Sequence, residues 1–243
     1  MTPKDCFDPL LYDNNRSQRI KDEFDKTQKQ LEKLGMQNTI VMFGSARNKP
    51  DDANDLAKHY YWQAHALSKK LATWSSETFA DKPTNKKYYI CSGGGGGVME
   101  AANRGAHDAG EPSAGFNIIL PHEQGANPYI PDDYVFWFHY FFVRKFYFAY
   151  LAKAFVIFPG GFGTMDELFE ILTLAQTQKM QKLPPFVIFG KEFFEKVLNF
   201  DMLLQHGFIS PEDKDLFILT DSVDEAFEHI TENIKRSLSF VEL

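Results

Sequence analysis

Pro159-Gly-Gly-Phe-Gly-Thr-Met-Asp-Glu167 stands between two apolar patterns of different period. Ahead of it, Ala154-Phe-Val-Ile-Phe158 is a continuous apolar run of strand length; behind it, Leu168, Ile171, Leu172 and Ala175 recur at helical spacing. Three glycines therefore sit where a strand ends and a helix begins. Glycine there permits positive φ and close approach of a ligand to the backbone. The free N–H groups and dipole of a first helical turn favour an anion, usually a phosphate. Gly160, Gly161, Gly163 and Thr164 are thus candidate phosphate contacts, and Glu167 brings a carboxylate one turn into the helix. Thr164-x-x-Glu167 before an apolar run is equally the pattern of a capping box. A cap explains Glu167 but not the glycines.

Outward from this point, short apolar runs alternate with helical ones. Strands are expected over Thr39–Phe43, Tyr88–Cys91, Ala114–Leu120, Phe155–Phe158, Phe186–Phe189 and Leu216–Leu219. Helices are expected over Asp55–Thr73, Val98–Ala109, Phe142–Lys153, Met165–Gln178, Lys191–Gln205 and Val223–Ser237, with Ser75–Lys87 as an exposed loop. Strands without clear polar alternation, separated by helices, predict an α/β fold: a doubly wound parallel sheet with helices on both faces. Before Gln37, Ile20, Phe24, Leu31 and Leu34 share one helical face and Gly35 is a C-cap, so residues 1–37 read as an N-terminal helical extension of a domain over 38–243. Ligands in such folds bind beyond the carboxyl ends of the strands, which gathers Gly44–Arg47, Ser92–Gly97, Pro121–Asn127 and Pro159–Thr164.

Composition bounds the partners. With 243 residues and a formal net charge of −7, the chain lacks the basic surface that binds nucleic-acid polymers. Two cysteines, Cys6 and Cys91, are too few for a disulfide framework or a structural zinc site, and the N-terminus lacks a signal-peptide pattern, so a cytoplasmic protein is expected. Tyr134–Tyr150 holds 11 aromatic residues in 17, long enough with the following strand to suggest a membrane span. Arg144 and Lys145 near its middle would each cost about 2.5–3.5 kcal/mol at a bilayer centre, so the run reads as core or subunit interface. It supplies more large apolar surface than one helix and strand bury, which predicts a homodimer or a dimer-based higher oligomer.

Other motifs are weaker. Ser92-Gly-Gly-Gly-Gly-Gly-Val-Met-Glu100 is a second strand-to-helix glycine loop; no Gly-Lys-Ser/Thr follows, and the third fingerprint glycine falls at Val98. A tight turn and a ligand contact through Gly94 and Gly95 are both open. Ser45 and Arg47, at the end of the first strand, are candidate phosphate or sugar contacts, or an ordinary polar loop. Arg144 shares a helix face with Phe148 and Leu151, where a guanidinium requires a carboxylate or phosphate partner. No metal-ligating spacing and no G-x-S-x-G elbow occurs in the sequence.

Pro159–Glu167 matches the P-G-G-x-G-T-x-x-E signature of the LOG (Lonely Guy) family, and Arg144-Lys145 resembles its second signature. Ser92–Ala106, with Met99-Glu-Ala-Ala-Asn-Arg-Gly-Ala106, is similar to its glycine loop and following helix, and the likeness runs from about Thr39 to Ile230. Gly96 stands where many relatives have proline, and aromatics replace an acidic neighbour before the Arg-Lys pair. The resemblance implies a Rossmann-like domain that hydrolyses the N-glycosidic bond of nucleoside 5′-monophosphates, including cytokinin riboside 5′-monophosphates, without a cofactor. It implies Arg144 and Glu167 as catalytic residues and Gly160, Gly161, Gly163 and Thr164 as phosphate contacts; Ser45, Arg47, Gly94, Gly95, Glu100 and Lys145 complete the set of candidate substrate contacts. A non-catalytic nucleotide or cofactor carrier, and a 2′-deoxynucleotide N-hydrolase or deoxyribosyltransferase, are the alternatives. A carrier needs no positioned acid at the ribose.

Overall fold

The structure, a computed structural model, describes residues 15–120, 125–180 and 183–239. Cys6 and four positions of the expected Pro121–Asn127 loop, 121–124, lie outside the described residues. After α1 (Arg16–Leu34) come β1 (Asn38–Phe43), α2 (Asp55–Thr78), β2 (Tyr88–Ser92), α3 (Val98–Asp108) and β3 (Ala114–Ile118). Next are β4 (Val135–Phe138), α4 (Phe141–Leu151), β5 (Ala152–Ile157), α5 (Phe162–Gln176) and β6 (Phe186–Phe189). The chain ends with α6 (Lys191–Val197), α7 (Phe200–Gln205), β7 (Ile218–Thr220) and α8 (Val223–Ser239).

The strands form one seven-stranded sheet in the order β4-β3-β2-β1-β5-β6-β7. Every pairing is parallel. Both faces of the sheet are covered, which is why the strands are apolar throughout. Ile40 and Met42 of β1 point to the layer of α2, α3 and α8, and Val41 and Phe43 point to the layer of α1, α4 and α5. Successive strand residues face opposite ways, so one short apolar run fills two cores. The order reverses at β1, whose neighbours are β2 on one side and β5 on the other. That reversal is where such folds open a crevice.

Four expectations differ from the structure. β4 lies inside the aromatic run and was not expected; Phe136 and Phe138 are buried in the sheet while Trp137 faces outward. The helix expected over Lys191–Gln205 is two, because the Asn199 side chain accepts from Met202 N and starts α7. Ser75–Lys87 is only partly loop: α2 runs on to Thr78, and Ser75 is buried, its Oγ accepting from Tyr88 N at 2.8 Å. Helix α5 begins at Phe162, three residues before the expected Met165.

At the chain's start, Gly35 ends α1 with φ 63°, the left-handed C-cap its position required. Leu31 and Met36 are buried in the same core as β1 and α4, so α1 packs on the domain. The aromatic run divides between two environments. Tyr140, Tyr147 and Phe148 are core residues, whereas Phe141, Phe142, Phe146 and Tyr150 lie on the surface. Among the described residues, no helix is long and apolar enough to cross a membrane.

Candidate active site

A cavity of about 890 Å³ opens at the carboxyl ends of β1 and β5. Backbone hydrogen bonds tie its loops together. Phe158 N donates to Phe43 O, Ser45 N to Pro159 O and Val98 N to Ser45 O, each at 3.0 Å or less. The loops after β1, β2 and β5 are thereby locked at the reversal point of the sheet.

Two glycines bring the loop after β1 against the loops after β5 and β2. A Cβ on Gly160 would meet Thr164 Oγ1 at 2.1 Å and Ser45 N at 2.9 Å. Gly97 has φ +67°, and a Cβ there would stand 2.2 Å from Ser45 O. Gly161 and Gly163 differ: nothing lies within 4 Å of an added Cβ, so the backbone there faces open space. The first turn of α5 borders the cavity through Gly161, Phe162, Gly163 and Thr164. Met165 N makes the first helical bond, to Gly161 O, so the amides before it lack intrahelical partners and face the region where an anion is favoured.

The capping-box reading is removed by this start. The N-cap of α5 is Gly161, with no side-chain cap. Glu167 lies well inside the helix and its carboxylate caps nothing. It is only 4 % exposed. Arg144 Nη2 stands 3.9 Å from Glu167 Oε1, and its guanidinium lies over the Phe141 and Phe148 rings at 5.2 and 5.7 Å. Charges so placed attract by about 4 kcal/mol at an effective dielectric of 20. Burial still wins: it pushes the Glu167 carboxyl up to about 7, against the downward pull of Lys145 and Arg144. Glu170 and Asp166 add to the rise. A carboxyl held near neutrality beside a cation in a cleft is suited to proton transfer.

Of the residues singled out from sequence, Ser45, Arg47, Gly95, Arg144, Gly160, Gly161, Gly163, Thr164 and Glu167 line this one cavity. Three are placed elsewhere. Lys145 turns to the outer side of α5, where it is paired with Asp166 at 2.8 Å and with Glu170. Burial opposes its charge, but those two acids hold its pKa above the ordinary value. Glu100 accepts from the Tyr61 hydroxyl at 2.8 Å, on the α2 side of α3. Gly94 packs against Asn117, whose Oδ1 would lie 1.9 Å from a Cβ; its N–H donates to Ser92 Oγ.

Sequence reasoning missed the apolar wall of the cavity, formed by Phe43, Met99, Ile118, Phe148, Phe193 and Val197 among others. Nothing local marks these residues: Phe43, Ile118 and Phe148 are also core residues, and Phe193 packs against that core. It also missed Asn127, which clamps the second glycine loop by donating from Nδ2 to Gly95 O at 3.0 Å and to Asn103 Oδ1 at 2.9 Å. Its place in a loop at the sheet edge was the available signal.

An α/β domain with a glycine-rich helix start and a buried glutamate paired with an arginine at the sheet reversal defines the class, and the comparisons supply the family. The chain belongs to the LOG family: the family described as "Possible lysine decarboxylase" matches residues 99–230, which include the Arg144-Lys145 pair and the whole of Pro159–Glu167. A probable cytokinin riboside 5′-monophosphate phosphoribohydrolase of Oryza sativa subsp. japonica is 31% identical over 146 residues, 59% of this chain and 62% of that protein. A second protein of that plant, a cytokinin riboside 5′-monophosphate phosphoribohydrolase, is 30% identical over 139 residues, 56% of each chain. The chain thus spans about three fifths of the length of the curated relatives it matches. Among solved structures, the molybdenum cofactor binding protein of Rippkaea orientalis superposes with a TM-score of 0.50 at 19% identity, covering 81% of this chain and 95% of that one. That likeness is one of fold.

Proposed function

We propose that this chain hydrolyses the N-glycosidic bond of nucleoside 5′-monophosphates, releasing free base and ribose 5-phosphate, with cytokinin riboside 5′-monophosphates among its substrates. The observation that carries the reading is the buried Glu167 carboxyl, paired with Arg144 and set a turn from an open helix N-terminus in a single cavity. The activity of the plant relatives supports the same chemistry.

The 5′-phosphate sits on the amides of Gly161–Thr164, where the helix dipole favours negative charge. That places the ribose over Glu167, whose carboxylate binds ribose hydroxyls and orients a water below C1′. As the bond from C1′ to the base nitrogen breaks, positive charge develops on the sugar, and a nearby carboxylate stabilises it. The water oxygen bonds to C1′ and gives up its proton, while the departing base gains one. Arg144, stacked on Phe141 and Phe148, orients the nucleotide and stabilises negative charge on the leaving base. The apolar wall is suited to the base and to an apolar substituent on it.

The test is a panel of nucleoside 5′-monophosphates, their nucleosides and their 2′-deoxy forms, with chromatographic detection of free base. Base release from ribonucleotides with little from nucleosides is expected. Equal rates on nucleosides would remove the phosphate cradle, and binding without base release would make the chain a carrier. We infer also that two copies associate through the exposed aromatic residues of α4, of which Phe141 lines the cavity.

A further inference from the structure

Helix α4, which carries Arg144, has no side-chain cap of its own. Its first helical bond is Arg144 N to Tyr140 O, so the amides ahead of it need partners from elsewhere. One carboxylate, from α1, holds the two amides at the entry to the helix, those of His139 and of the N-cap Tyr140. Glu23 is buried, at 8 % exposed. Its Oε2 accepts from His139 N at 2.8 Å and its Oε1 from Tyr140 N at 3.2 Å. The His139 ring lies 3.1 Å away through Nδ1; a carboxylate only accepts, so that nitrogen carries the proton. One residue on, Phe24 O accepts from the Tyr147 hydroxyl at 3.0 Å, and the Phe24 ring packs edge-on to Phe146. Helix α1 thus grips α4 at its start and again two turns later.

We propose that Glu23 is a positioning residue for the candidate active site: from α1 it caps α4 across more than a hundred residues and sets where Arg144 stands relative to Glu167. Residues 15–36 lie outside the matched family region, 99–230, so this role comes from the contacts and not from the family match. A carboxylate at a helix start is favoured by both hydrogen bonding and the dipole. Burying it on another helix makes the geometry of α4 depend on the docking of α1. The catalytic consequence rests on the reading above; the structural one does not.

Glu23→Ala and Glu23→Gln in the full chain test it by three measurements. The first is amide hydrogen exchange across residues 139–144. The second is the pH at which Glu167 titrates, followed by carboxyl NMR. The third is kcat and KM against pH on the best nucleotide of the panel. The charged groups that act on Glu167 are Lys145 and Arg144 from α4, and Glu170 and Asp166 from its own helix. Only the two cations ride on α4.

Glu23→Ala should speed exchange at 139–144 by roughly tenfold, the factor a lost cap represents, with β1 unchanged. Glu167 should then titrate at higher pH, and kcat should fall about tenfold or more with a smaller change in KM. Glu23→Gln retains one acceptor and should recover part of each effect. Exchange that stays unchanged overturns the proposal. So does faster exchange with the Glu167 titration and the kcat profile unmoved, which would make α1 only a cover. If the wild-type chain cleaves no nucleotide, the proposed function falls, while exchange and the Glu167 titration still decide this inference. If the Ala variant does not fold, the Gln variant carries all three measurements.

Discussion

Replacing Glu167 by Gln separates the catalytic role proposed for it from its structural cost. In the folded protein, burial raises this carboxyl from the ordinary 4.5 to about 7. A group whose folded pKa is raised contributes stability that is present in full below its unfolded pKa and is lost as pH rises through the folded one. Here the loss starts near 4.5 and is complete a little above 7. At about 1.4 kcal/mol for each tenfold step, it amounts to roughly 3 kcal/mol. Glutamine resembles the protonated carboxyl and cannot ionise. Between about pH 5 and about pH 8, then, the variant should gain roughly 2–3 kcal/mol on the wild type. For a domain of this size that is a relative rise in Tm of roughly 5–10 °C. Thermal unfolding of both proteins at the two pH values measures it, and every other titrating group cancels in the difference. Activity should move the opposite way, falling about 10²-fold or more. In the wild type, kcat/KM should rise with pH through about 7 as the carboxylate forms. A Tm difference that is the same at both pH values would refute the burial argument. A variant that is still active would refute the catalytic one.

Gly97→Ala should destabilise by at least about 2 kcal/mol, because φ +67° strains an alanine and its Cβ would meet the Ser45 and Ala46 backbone. Gly96→Ala, which meets only Ala46 O at 3.3 Å, should cost under about 1 kcal/mol; chemical denaturation of the pair checks the contact between the two loops. Light scattering at micromolar concentration should give a dimer. Phe146→Glu, at a residue 46 % exposed and stacked on Tyr150, should weaken it. A fully active monomer would end the dimer inference.

Much of the fold is legible because its signals are local. The α/β class, β1 at Asn38–Phe43, β6 at Phe186–Phe189 and the Gly35 stop of α1 follow from apolar runs of strand length and from glycine at a helix end. So does the strand-glycine-helix junction at 158–162, whose chemistry needs only backbone amides and a dipole. β4 was hidden for a reason of the same kind. Within Tyr134–Tyr150 both halves are aromatic, and a buried strand and a buried helix of that composition have no distinguishing period.

What only the tertiary structure decided is the direction of side chains between elements. Arg144 and Lys145 are neighbours in sequence, yet a helix turns about 100° per residue. One therefore reaches Glu167 in the cavity, and the other reaches Asp166 and Glu170 outside it. Glu100 follows the family pattern but is drawn to Tyr61 by the packing of α3 on α2. Glu23 meets His139 across 116 positions of chain, a pairing no local pattern encodes. Periodicity and glycine are written along the chain, so they determine which elements form. The burial of Glu167 and the partner that Arg144 finds arise only when those elements close on one another, because the loss of water around a charge belongs to the packed assembly and not to any segment of it.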